Sequence, residues 1–113
     1  MGDYFFTHQD RFYEIQLEAE STDSDEMMGP SITSARLTVS SPELGQKEVY
    51  GFSMEGYSGI LSVDIAGHLM SPQGNRIAIV YTEVHRGWEG PPHVLTYRLV
   101  GAHLTSGFRR TVY

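Results

Sequence analysis

The sequence predicts an all-β chain: a single antiparallel β-sandwich or barrel of about six to eight strands, with little or no helix. Three observations carry that expectation. Segments in which apolar and polar residues alternate recur along the chain, as half-buried strands require. Turn-forming residues separate them, drawn from 12 Gly and 5 Pro. No window keeps apolar residues at helical spacing for the roughly ten residues a helix needs.

Residues 1–10 read as a leader or an edge strand. From Arg11 to Ala19, Tyr13, Ile15, Leu17 and Ala19 share one face, with Glu14, Gln16 and Glu18 on the other. Glu20 to Pro30 is acidic and small, with too little apolar area to offset the entropy of ordering it, so it reads as a mobile loop. Ile32 to Ser40 resumes alternation with Ala35, Leu37 and Val39 inward, and its few charges leave it able to pair edge to edge. Ser41-Pro42-Glu43-Leu44-Gly45 turns the chain, because Pro fixes φ and Gly accepts a positive one.

Lys47 to Met54 places Tyr50, Phe52 and Met54 together. Gly56-Tyr57-Ser58-Gly59 reads as a flexible turn, and Ile60 to Ile65 follows with Leu61, Val63 and Ile65. After Gln73-Gly74-Asn75, the run Ile77 to Val84 is apolar on both faces, which suits a strand in the middle of the structure. Val94 to Val100 sets Leu95, Tyr97 and Leu99 against Thr96 and Arg98, and residues 105–113 form a flexible tail or a last edge strand. Shared parity predicts a core of Tyr13, Ile15, Leu17, Leu37, Val39, Leu61, Val63, Ile79, Val80, Leu95, Tyr97 and Leu99.

The chain has 113 residues, suited to one domain spanning 1–113, and a net charge of −6 with one lysine (Lys47) among its basic residues. An acidic surface without a basic stripe repels phosphate, so nucleic acid is not an expected partner. The absence of cysteine removes disulfides and thiolate metal sites. No run approaches the roughly 18 apolar residues of a membrane helix. Met1-Gly2-Asp3-Tyr4-Phe5-Phe6 lacks the basic and apolar regions of a signal peptide, which leaves the cytoplasm open as a compartment.

The most particular local motif is Gly87-Trp88-Glu89-Gly90-Pro91-Pro92. An aromatic beside a carboxylate on a Pro-bounded loop suits stacking on a sugar ring or anchoring a peptide. The plain alternative has Trp88 closing one end of the core, and the strand leading into the loop favours it. His85 and His93 flank the loop and with Glu89 would offer two nitrogens and one oxygen, the minimum for a catalytic zinc, although nothing local dictates that geometry. Asp23 and Asp25 in the acidic loop are weak calcium candidates, since calcium wants six to eight oxygens and this segment offers fewer. Glu14, Glu18 and Glu20 with that loop suit a solvated face better.

No Gly-x-Ser-x-Gly elbow, reactive cysteine or phosphate-binding glycine pattern is present. No cofactor is implied. Asp64, Glu83 and Glu89 are the acids available for a glycosidase-type carboxylate pair.

Phe12-Tyr13-Glu14-Ile15-Gln16-Leu17-Glu18, Arg36-Leu37-Thr38-Val39 and Ile77-Ala78-Ile79-Val80, followed by Gly87-Trp88-Glu89-Gly90-Pro91, resemble in order the C-terminal half of a bacterial family of predicted secreted proteins, domain of unknown function 2259. The resemblance spans most of residues 11–104 and implies a periplasmic or secreted site of action, with no assigned activity.

Three functional readings follow. The first is a non-catalytic binding or structural module with a protein or glycan partner, of open oligomeric state. The second is a small hydrolase acting on carbohydrate or another polar polymer through Glu89 with His85, Asp64 or Glu83. The third is a calcium-stabilised adhesion-type module using Asp23 and Asp25.

Overall fold

Alternation along the chain becomes seven strands among the described residues, which in this computed structural model are 3–22, 31–55, 58–87 and 94–105. β1 (Asp3–His8), β2 (Arg11–Thr22), β3 (Ser31–Ser41) and β4 (Gly45–Ser53) form one antiparallel sheet in sequence order. β5 (Ile60–Met70), β6 (Arg76–His85) and β7 (Val94–His103) form a second. The two sheets are not hydrogen-bonded into one closed surface, so the architecture is a sandwich. Its shortest dimension is 18 Å, as two stacked sheets require. Among the described residues no helix is long and apolar enough to cross a membrane.

Local chemistry sets each turn. Gln9 and Asp10 carry φ of 51° and 63° between His8 and Arg11, the pair of positive angles that a tight two-residue hairpin demands. Gln9 Nε2 donates to the Pro72 carbonyl at 2.9 Å, tying this hairpin to the other sheet. Gly45, at φ 98°, closes the turn from β3 to β4. Ser71 organises the turn from β5 to β6, its Oγ donating to Asn75 Oδ1 and accepting from the Asn75 and Arg76 amides.

Of the expected flexible turn, Gly56 and Tyr57 lie outside the described residues, and Ser58 is held in place by hydrogen bonds. Ser58 Oγ donates to the Ile32 carbonyl at 2.5 Å and accepts from the Ile60 amide at 3.0 Å, while the Met54 amide reaches the Thr33 carbonyl. One hydroxyl therefore joins β3 to the start of β5.

The core lies between the sheets. Tyr13, Ile15 and Leu17 of β2 and Leu37 and Val39 of β3 face Ile77, Ile79 and Tyr81 of β6, all essentially inaccessible to water. β2 runs on to Thr22, so Glu20 to Thr22 are strand rather than loop. Most of the predicted loop, 23–30, lies outside the described residues, as does the tail 106–113. β3 is hydrogen-bonded on both sides, so Ile32 to Ser40 is no free edge.

The core prediction fails on β7. Leu95, Tyr97 and Leu99 are 51%, 65% and 68% exposed, and Val100 of the opposite parity is buried. The reason is pairing. The inward β6 residues Ile77, Ile79 and Tyr81 stand opposite Ala102, Val100 and Arg98, which sends Leu95, Tyr97 and Leu99 outward beside Val84, Thr82 and Val80. The alternation of β7, with Leu95, Tyr97 and Leu99 against Thr96 and Arg98, favours the opposite face, and its pairing with β6 overrides it. Val80 is likewise outward and half-buried, and Leu61 and Val63 are half-buried. Thus β6 is central within its sheet, yet only one of its faces is covered by the second layer.

Candidate functional site

Two features outside the regular core stand out: a polar cluster at the end of β6, and the uncovered face of the three-stranded sheet.

Glu83 points inward two residues beyond Tyr81 and is only 4% exposed. A buried carboxylate needs partners. Its Oε1 lies 3.1 Å from His85 Nε2 and 3.8 Å from an Arg98 guanidinium nitrogen, and the Arg98 guanidinium in turn covers the Tyr50 ring at 5.6 Å. The aliphatic stem of Arg98 lets an inward residue carry its charge toward the rim of the sandwich. Tyr81 is buried beside this group, its ring tilted on Tyr50 at 5.4 Å, and among the described residues its hydroxyl makes no well-formed hydrogen bond, with the Glu83 carboxylate close by. Burial, reinforced by the Glu83 carboxylate, holds the Tyr81 phenol far above its ordinary pKa.

The structure therefore joins His85 to Glu83, both singled out from the sequence, and adds Tyr50, Tyr81 and Arg98, which sequence reading missed. Arg98 was missed because alternation assigned it outward. Asp64 does not join them. It stands opposite Thr82 and faces away from Glu83, with Oδ1 accepting from the Ile65 amide, so the two acids lie on opposite faces of one sheet. Trp88, Glu89, His93, Asp23 and Asp25 lie outside the described residues. Among the described residues, no group of three or more His, Asp or Glu side chains is placed to hold a metal.

A second aromatic cluster closes the opposite end. Phe6 stacks on Tyr13 at 5.0 Å and on the His68 ring at 3.9 Å, and the Tyr4 hydroxyl shares a 2.8 Å hydrogen bond with His68 Nδ1. Burial, with a smaller contribution from nearby His8, lowers the His68 pKa. The neutral imidazole is thus the folded form, and its contribution to stability is complete above the unfolded value of about 6.5. That contribution is lost as pH falls from there through the lower folded value. Melting temperatures measured between about pH 7.5 and 5 should fall less steeply in His68→Gln than in the parent. Identical slopes would exclude His68 as the source.

The two outer faces differ in composition. On the four-stranded sheet Arg36 bridges Glu18 at 2.6 Å and Glu48 at 3.7 Å in an exposed ion-pair array, and the exposed Phe5 and Phe12 rings pack together at 5.7 Å beside the β1 edge. On the three-stranded sheet the outward residues of β5 to β7 include Leu69, 67% exposed, together with Leu95, Tyr97 and Leu99. Comparison of the chain with family models, with curated proteins and with solved structures finds no match.

Proposed function

We propose that this chain is a non-catalytic β-sandwich module that works by binding a macromolecular partner, and that the outer face of the three-stranded sheet is the binding surface. The observation that carries this reading is the contiguous exposure of Leu69, Leu95, Tyr97 and Leu99. Single exposed apolar residues are ordinary, whereas contiguous patches mark interaction sites. Such side chains in water contribute little to the fold, and Tyr is a favoured anchor at interfaces. The resemblance of the Tyr13, Leu37 and Ile79 segments to a family of secreted bacterial proteins supports an extracytoplasmic setting for such a module.

Substitution separates a binding face from a structural one. Tyr97→Thr with Leu99→Thr keeps strand-compatible residues while removing most of the apolar area. The double variant should melt within a few degrees of the parent and be more soluble. At dilutions where the chain is monomeric, a loss of stability like that of a core substitution, above about 2 kcal/mol, would show that the face is covered within the folded chain and would overturn the reading.

The hydrolase reading centres on Glu89, which lies outside the described residues. Of the acids expected to join it, Glu83 is buried and engaged by His85 and Arg98, and Asp64 lies on the opposite face of the sheet.

A further inference from the structure

The outer face of the three-stranded sheet is patterned as well as apolar. Register arranges its outward side chains in rows of three, one residue from each strand. One row is Leu69, Ala78, Gly101, and the next is Gly67, Val80, Leu99. The two leucines therefore occupy one diagonal of a rectangle and the two glycines the other.

Gly67 follows a bulge in β5, between Ile65 and Gly67, but neither backbone angle nor close contact among the described residues demands glycine at either position. Neither has a positive φ. A Cβ on Gly67 would meet nothing within 4 Å, and one on Gly101 would touch only the Ile77 carbonyl at 4.0 Å. Glycine inside a strand weakens it, and one common reason for its presence is close approach of another surface.

Resting on the reading of this face as a binding surface, we propose that its partner is a second copy of the same chain, packed face to face as a twofold dimer. A twofold axis lying between the two sheets and perpendicular to the strands places Leu69 of each copy over Gly67 of the other. The same rotation places Leu99 over the second copy's Gly101. Each knob meets a hole, and the same patch serves on both sides, as an isologous interface requires.

Charge selects this axis over its alternative. Arg76 lies one row beyond Ala78, and Asp64 lies beside Thr82, one row beyond Val80. The perpendicular axis sets Arg76 over the second copy's Thr82, about 4.8 Å from the strand that carries Asp64. An axis parallel to the strands also seats leucine on glycine, but it stacks Arg76 on Arg76, which like-charge repulsion disfavours. The sheet presents a rectangle of about 14 Å by 33 Å, from strand spacing and rise. That plan area, about 460 Å², is a little over half the ~800 Å² of accessible surface each partner of a standard interface buries, which suits a reversible dimer.

The test combines sedimentation equilibrium over a dilution series with hydroxyl-radical footprinting of Tyr97, which falls over the second copy's His103 in the dimer. The parent should show a reversible monomer–dimer equilibrium, with Tyr97 protected only at concentrations where dimer forms. Gly67→Leu, whose Cβ meets no described atom within 4 Å in its own chain and whose side chain points to the outer face, should keep the parental melting temperature of the monomer and lose the dimer. Arg76→Asp should weaken association by more than about tenfold, and adding Asp64→Arg should restore it.

A parent that stays monomeric with Tyr97 freely labelled would overturn the dimer and leave the binding surface standing. A monomer with Tyr97 protected would overturn both. A dimer indifferent to Gly67→Leu and to the charge exchange would overturn this geometry.

Discussion

Tyr81→Ala should remove about 3–5 kcal/mol of stability, the penalty for deleting a fully buried large aromatic side chain. Domains of this size are stable by only about 5–15 kcal/mol, so the variant would stand close to unfolding at room temperature. The ring is inaccessible to water and tilts on Tyr50 where the inward residues of β6 give way to Glu83. Tyr81→Phe should behave in the opposite way. It keeps the ring and removes a buried hydroxyl that makes no well-formed hydrogen bond among the described residues, so it should be neutral or stabilising by about 1 kcal/mol.

The same residue predicts an alkaline limit. With the folded phenol raised above its ordinary value of 10.0, the stability it contributes is complete below that pH and is lost as pH rises toward the folded value. Urea titrations near pH 7 and above about pH 10 check all three expectations. A Phe variant weaker than the parent by more than about 1 kcal/mol would show that the hydroxyl is bonded after all.

The second large effect separates the two sides of the sandwich. Leu37→Ala should cost about 2–5 kcal/mol, because Leu37 is inaccessible to water, stands between Leu17 and Tyr50 in its sheet within the core cluster, and leaves a space that cannot collapse completely. Leu99→Ala deletes the same atoms from a side chain that is 68% exposed and should cost under about 1 kcal/mol. Parallel chemical denaturation of the two variants measures the difference directly. Equal losses at dilutions where the chain is monomeric would mean that the outer face of the three-stranded sheet is covered in the folded monomer.

Alternation alone was enough for the strands themselves and for the inward faces of β2 and β3. Tyr13, Ile15, Leu17, Leu37 and Val39 are all buried, because a strand with one apolar and one polar parity has only one favourable orientation. The turns at Gly45 and Gly74 were legible for a related reason, since their positive φ angles need glycine. Sequence also singled out Glu83 and His85 as reactive types, though not as neighbours.

Tertiary structure decided the rest. The alternation of β7 pointed Leu95, Tyr97 and Leu99 inward, but Val94, Val100 and Ala102 leave apolar area on the other parity too, and pairing with β6 fixed the strand the opposite way round. The same pairing turned Arg98 inward to Glu83 and Tyr50 and left Leu95, Tyr97 and Leu99 in water. The Tyr4–His68 bond joins groups 64 residues apart, and no local signal marks such a contact. A strand's period states which residues share a face. Only the packing of one sheet on another states which of the two faces is covered.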